Sequence, residues 1–545
     1  MRIKIHTFCA FLMAVLIAIS STQQVHAQVP DDLSPLLEQL TKVKLKQTAA
    51  LLDEIASTGH VEAVDLFSIM LNGRLYYDKQ SRDLFELYTN GDGDHQARAL
   101  FDKSAQEKTV SKSAYKKVRV NNKLRSKLRE LIASVQLSSS DVQLRRESAT
   151  TMIGSVTESL KTKLSERLKV ETDKQVSESL RLALAVYDLN ATQNLDTQLT
   201  AINTLKTSLN PEARNALTSI IEAGTDNADS ELVNAAQSAL KEIDKRVKFY
   251  GFLEQVFFGL SLGSVLLLAA IGLSITFGVM GVINMAHGEM MMLGAYTTYV
   301  IQLLLPNHIG LSILLAIPAA FCVSGFVGIL IERGVIQFLK GRPLETLLAT
   351  FGISLILQQL VRTVFSPLNR QVITPDWLSG SLVINEVFSI TYNRLYILIF
   401  ALLVFVALQM LLKLSKLGLN VRAVSQNRSM ARAMGIRTER VDAMTFGLGS
   451  GVAGIAGVAL SQLTNVGPNL GQSYIIDSFM VVVFGGVGNL AGTVIGSFSL
   501  GIANKFLEPA TGAVMANIII LVFIILFIQR RPQGLFPQKG RAADD

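Results

Sequence analysis

Residues 255–288 read QVFFGLSLGSVLLLAAIGLSITFGVMGVINMAHG, 34 residues without an Asp, Glu, Lys or Arg. A helix crosses the hydrocarbon core of a bilayer in roughly 20 apolar residues, so this stretch exceeds one crossing. Three more uncharged runs follow: Met290–Ile331 of 42 residues, Ala443–Ile476 of 34 and Pro509–Gln529 of 21. With their flanks they predict nine helical segments, near 252–280, 283–304, 310–333, 346–366, 394–413, 441–463, 474–488, 490–507 and 511–529. The pair 474–488 and 490–507 is short enough to be re-entrant, so the expectation is eight to nine spans.

Outward from this region the composition changes. Of 545 residues, 49% are hydrophobic and 17% charged, but the charges concentrate before residue 249. One soluble and one membrane domain are expected, at 28–248 and 249–545, in an all-α chain. The net charge of +8 lies largely in short loops beside the spans. That is the pattern of cytoplasmic loops, not of a polyanion site, and nucleic acid is excluded as a partner. Two cysteines, Cys9 and Cys322, cannot build a disulfide framework or a metal cluster. The start, Met1-Arg-Ile-Lys4 with apolar Phe8–Ile19 and Val25-His-Ala27, reads as a signal peptide over 1–27. An uncleaved anchor is the other reading. Both put residues 28–248 outside the inner membrane, in the periplasm.

Residues 31–248 space their apolar side chains by three and four, as at Leu36, Leu37, Leu40 and Val43, and little strand-like alternation is visible. Asp141, Asp196 and Asp229 each precede a helical run, and Pro211 opens another. The spacing predicts helix pairs in a HEAT-like stack. His60 and His95 lie far apart, and Gly91-Asp-Gly-Asp94 lacks the other ligands of a calcium loop. No catalytic residue, cofactor or metal is expected. The stack is either a docking element for an extracytoplasmic partner or a spacer.

Lys413–Arg440 holds seven Lys or Arg against one acid, Glu439. With Lys340, Arg342 and Arg530-Arg531, it belongs on the cytoplasmic side, and 366–393 on the other. Nine crossings satisfy the parity this requires. Lys241, Lys245, Arg246 and Lys248 oppose it, and are taken as the wet face of the last soluble helix.

Three motifs stand out. Asn284, His287 and Glu289 are polar residues at membrane depth, costly unless they face a cavity or a partner. They either line a translocation path or fix the turn of a hairpin. Thr350, Ser354 and Gln358 recur every fourth residue as one polar stripe on an apolar helix. The stripe either bonds a neighbouring helix or faces a small polar solute. Third, Gly418–Ile436 predicts a short amphipathic helix. Val421, Val424, Met430 and Met434 would dock, Arg422, Arg428 and Arg432 would stay wet, and Gly435 would end it in a left-handed cap. It lies either on membrane lipid or against a cytoplasmic motor. Gly447, Gly451, Gly454 and Gly457 read as helix-packing positions, and no phosphate-binding loop occurs.

At Asn284-Met-Ala-His-Gly-Glu289, Glu332-Arg333, Thr346–Gln359, Gly418–Ile436 and Arg531-Pro-Gln-Gly-Leu535 the chain resembles the branched-chain amino acid family of ABC importer permeases. The resemblance covers about 250–540, and the long exported N-terminal domain is similar to the urea-transporter subgroup. It implies a passive half of a pore. A second permease subunit, a periplasmic substrate-binding protein and cytoplasmic ABC ATPase subunits would be its partners. Arg422, Ala423, Gln426, Arg428, Arg432 and Gly435 would belong to the ATPase-coupling helix. Ala423 and Gly435 match the family's loop pattern, while Arg422 stands where that pattern has an acid.

Urea import is the first functional expectation, with branched-chain or other amino acid import as the alternative. Amides and hydroxyls such as Thr350, Ser354 and Gln358 suit a neutral solute. A membrane-embedded hydrolase is the remote alternative. Its one nucleophile signature, Gly259-Leu-Ser-Leu-Gly263, lies inside an apolar span rather than on a strand-to-helix elbow. A sensor would need an output domain, and only some fifteen residues follow Arg530 in this sequence.

Overall fold

The computed structural model describes residues 33–43, 47–58, 60–89, 95–100, 108–110, 114–224 and 230–536. The expected signal peptide with Cys9, the Gly91–Asp94 turn and the Asp229 cap lie outside them. The chain divides into two compact units, Met1–Asp244 and Lys245–Asp545.

The first unit opens with α1 (Ser34–Leu40), α2 (Thr48–Ser57) and α3 (Val61–Leu71). Their i, i+3, i+4 leucines bury a core of Leu36, Leu37, Leu40, Leu51, Leu52, Ile55, Leu66, Phe67 and Met70. Next comes a five-stranded antiparallel sheet. β1 (Leu75–Asp78), β2 (Leu84–Thr89), β3 (His95–Ala99), β4 (Lys108–Thr109) and β5 (Tyr115–Lys117) lie in the order β4-β3-β2-β1-β5, with Leu75 opposite Glu86. The sequence reading missed this sheet for a physical reason. Its buried side carries Glu86, 5% exposed, with Arg98 at 2.7 Å and Arg74 at 3.3 Å. An ion pair at a core position breaks the apolar alternation that marks a strand. Tyr76, Tyr77, Phe85 and Tyr88 were the remaining signal.

Helices then continue as α4 (Asn122–Leu137), α5 (Val142–Thr151), α6 (Glu158–Val170), α7 (Lys174–Ala191), α8 (Leu195–Leu205) and α9 (Pro211–Ala223). Side-chain caps start most of them. Asn121 accepts from Leu124 N, Asp141 from Gln143 N and Asp173 from Gln175 and Val176 N, supplying acceptors that the first turn lacks. The cap before α8 is Asn194, not Asp196, which sits in the first turn. Glu171, between α6 and α7, draws its neighbours together. Its carboxylate accepts from Arg145 Nε and Nη2, Arg167 Nε and Nη2, and the backbone N–H of Thr172 and Asp173, all at 2.9–3.1 Å.

In the second unit every one of the nine expected segments is helical. α10 (Glu231–Met280) supplies the first, α11 (His287–Leu304) the second and α12 (Ile309–Gly334) the third. α13 (Pro343–Phe365) leads to a hairpin of β6 (Ser381–Val383) and β7 (Ser389–Thr391), then α14 (Tyr392–Leu414). α15 (Lys416–Gln426) and α16 (Arg428–Ala433) form the basic segment. α17 (Thr438–Ser461), α18 (Leu470–Gly485), α19 (Leu490–Thr511) and α20 (Ala513–Arg530) follow. Among the described residues seven helices are long and apolar enough to cross a membrane. α18, with 16 residues, rises only about 24 Å against a hydrocarbon core of about 30 Å. α11 starts on His-Gly-Glu and is largely covered by other helices, so its surface need not match lipid.

α17 is the hub. Its most apolar stretch is 89% buried, against 17% for α14 and α20. Its glycines explain how it is surrounded. Gly454 meets the Ala320 carbonyl and Ser324 of α12, Gly457 the Met291 carbonyl of α11, and Gly449 the Gly272 carbonyl of α10. Where no side chain stands between two backbones, helices approach closely, which is how membrane helices associate without a water-driven term.

Candidate functional site

α10 ends at Met280, Gly281 turns the chain with φ +66°, and α11 begins at His287. Asn284 accepts from the Ala286 N–H at 3.0 Å within this turn. The His287 Nε2–H donates to the Ala269 carbonyl of α10 at 2.9 Å, fixing the ring in a notch beside Gly272. All of Asn284, His287 and Glu289 are at most 2% exposed.

The polar stripe of α13 faces this turn. Thr346, Thr350, Ser354 and Gln358 are its buried residues together with Val361. Thr350 Oγ1 accepts from the Met285 N–H at 3.2 Å. Ser354 Oγ donates to Glu289 Oε1 at 2.9 Å, and Gln358 Nε2 to the same oxygen at 2.7 Å. The two motifs that the sequence presented separately therefore form one seam between α11 and α13. Four polar atoms around it have no partner: Asn284 Nδ2, His287 Nδ1, Glu289 Oε2 and Tyr296 Oη. Tyr296, two turns after Glu289 and with its ring centroid 4.8 Å from that of Phe365, was not singled out from the sequence. Its seven-residue offset from Glu289 was the available signal. Arg362, one turn beyond Gln358, donates to Asn469 Oδ1 at 2.8 Å.

The basic segment departs from its expected form. It is two helices, because Asn427 leaves helical geometry at φ −148° and ψ 102° and its side chain accepts from the Met430 N–H, capping α16. Val421 and Val424 are buried as expected, but Met430 and Met434 are exposed at 60% and 76%, and Ala431 takes the inner position. The break is not what sends the methionines outward. At about 100° per residue an uninterrupted helix also sets Ala431 within about 20° of Val424 and Met430 about 180° from Val421, so the expectation ran against the helical period. Gly435 takes φ +83°, and the Ile436 N–H bonds the Ala431 carbonyl at 3.0 Å. Arg422 donates to the Leu412 carbonyl. Arg432 donates to Thr438 at 3.3 Å. Arg428 keeps 37% of its side chain exposed, but its guanidinium pairs with Asp442, whose side chain is fully buried. Ala423 and Gln426 line a cavity of about 1020 Å³ with Ser274, Lys413, Arg422 and Asn489. Leu535 and Phe536 border it too. Their N–H groups bond the carbonyls of Phe484 and Gly485, at the break between α18 and α19.

A comparison with known families matches residues 255–528 to the permease component of branched-chain amino acid transport systems. The chain belongs to that family. A high-affinity branched-chain amino acid permease of Pseudomonas aeruginosa, BraD, is 30% identical over 298 residues, 53% of this chain and 96% of the relative. LivH of Salmonella typhimurium, also named for branched-chain amino acid transport, is 32% identical over 304 residues with the same shares. A ribose import permease of Escherichia coli is 24% identical over 273 residues, covering 48% of this chain and 80% of that protein. No solved structure matches. A permease of this family is a multi-pass membrane subunit and not an enzyme, with ATP hydrolysis in separate subunits.

Proposed function

We propose that this chain is one permease subunit of a binding-protein-dependent ABC importer in the inner membrane, and that its substrate is a branched-chain amino acid. Family membership over 255–528 carries the reading, because the relatives BraD and LivH are named for that substrate class. The seam adds chemical support. An amino acid carries an ammonium group, which needs acceptors, and Glu289 Oε2 is a buried acceptor without a donor. Neutral urea also has N–H donors but no positive charge to offset a buried carboxylate, and the urea expectation leaned on the N-terminal 250 residues, which lie outside the family match. In this reading Asn284, Glu289, Ser354, Gln358 and Tyr296 border the substrate route. A second permease subunit completes the pore, a periplasmic binding protein delivers substrate, and residues 28–248 lie on that side.

The segment Lys416–Gly435 is the contact to the cytoplasmic ATPases. Two exposed methionines beside Arg432 offer a partner both apolar area and positive charge. Labelled uptake in a deletion strain carrying this chain with its partner subunits tests the substrate. Leucine uptake supports the reading, and urea uptake without leucine uptake overturns it. Cysteine labelling at the exposed Ser429 tests the orientation, since modification from the outer face alone inverts it. Co-purification of an ATPase with the chain is expected. Gly435→Arg, which puts a side chain on left-handed backbone, weakens that association without preventing insertion.

A further inference from the structure

α12 and α17 run antiparallel with a register their glycines make plain: Ala320 meets Gly454, Phe321 meets Gly451 and Gly325 meets Gly447. Continued along both helices, that register brings Glu332 opposite Asp442. Both carboxylates are completely buried. Two like charges this close on closely packed backbones repel unless a cation lies between them. Lys340 supplies it from the turn after α12, which Gly341 completes at φ +82°. Its Nζ stands 3.1 Å from Glu332 Oε1 and 2.7 Å from Asp442 Oδ2. Arg333 Nε adds a weaker contact to Glu332 at 3.8 Å.

One further cation comes from elsewhere. Arg428, the first residue of α16, reaches the same Asp442 Oδ2 as Lys340. The basic segment also touches this end of α17 through the Arg432–Thr438 hydrogen bond and a small apolar cluster, Val421, Val424, Ala431 and Val441. A displacement of α16 therefore bears on the hub helix through the buried Asp442 oxygen, beside the bond from Arg432 to Thr438, and through Lys340 on α12 as well. Buried ion pairs resist separation because each partner alone would be an uncompensated charge in a medium of low dielectric constant.

We propose that Arg428, Asp442, Lys340 and Glu332 form the ionic linkage by which the ATPase-facing segment moves α17 and α12 as one body. The four are positioning residues, and the proposal rests on the reading that Lys416–Gly435 meets an ATPase.

The test uses the complete importer in proteoliposomes and reads substrate taken up per ATP hydrolysed. Asp442→Asn keeps the shape and removes the charge that holds two cations. It is expected to leave ATPase co-purification intact and ATP hydrolysis within twofold, while uptake per ATP falls at least tenfold. Arg428→Gln is expected to lower that ratio to a similar degree. The double variant should lose no more than either single one, because both break the same link. An unchanged ratio in either single variant, or losses that multiply to about a hundredfold in the double, overturns the proposal. So does loss of ATPase co-purification in Asp442→Asn alone, which would make the buried cluster part of the docking surface. If Asp442→Asn fails to insert, Arg428→Gln decides, because Asp442 then still has Lys340. An ATPase absent even from wild-type preparations overturns the functional reading, and this linkage with it.

Discussion

Glu171→Gln in the first unit has a cost that can be worked out in advance. Burial alone would raise the Glu171 carboxyl, whose side chain has no solvent exposure. Against that, hydrogen bonds from Arg145, the Asp173 N–H and Arg167 prevail and hold it down from 4.5 to about 2. At about 1.4 kcal/mol per pH unit, the ionised form adds about 3 kcal/mol to the native state. The sign follows from a depressed value. The stabilisation is fully present above the unfolded carboxyl's 4.5 and drains away as the pH falls towards 2. Glutamine resembles the protonated acid in shape, so the variant should behave at neutral pH as the parent does in strong acid. Hydrogen exchange of the amides around Leu180 and Ala183, in the middle of α7, measures this on the full-length protein in detergent. Protection in Glu171→Gln should be about a hundredfold lower at pH 7, and the gap should shrink to under about 1 kcal/mol by pH 2.5. Equal protection at pH 7, or a gap that does not change with pH, would refute the reasoning.

Two further outcomes concern the membrane unit. Gly454→Leu should lower the thermal stability of the detergent-solubilised protein by about 3 kcal/mol or more, since its side chain would overlap the Ala320 carbonyl and Ser324. Gly352→Leu, at a glycine with open space around it, should leave stability unchanged. Gln358→Leu takes one of two donors from buried Glu289, and about 1–3 kcal/mol of stability is expected to go with it. Ser354→Ala should cost less, its bond being longer at 2.9 Å; the reverse order in a thermal scan would mean that Gln358 is not the principal donor.

Much of the candidate site could be read before any fold was known, because its residues carry their own periodicity. Thr350, Ser354 and Gln358 share a face at any 3.6-residue repeat, whatever lies opposite. A glycine after a run of helix formers, as at Gly435, suggests a left-handed end by the same local logic. What failed was any inference that needed a distant partner, together with one misread face. The methionines were assigned to the wrong side against the period itself, since Met430 lies nine residues, about 180°, from Val421. Arg428 looked solvated because its partner, Asp442, lies on a different helix. Asp442 itself had a faint signal, as the last acid before 34 uncharged residues.

The uncharged runs alone settled that this is a membrane protein of many helices, since lipid tolerates neither charge nor unpaired backbone and leaves few other forms for such segments. Which polar groups meet was decided in three dimensions. Glu289 finds Ser354 and Gln358 across 65 residues or more, and Glu332 faces Asp442 because glycines let two antiparallel helices close on one another. Hydropathy is a property of a segment against its solvent. Pairing depends on register and crossing between segments, and that information arises only when they pack.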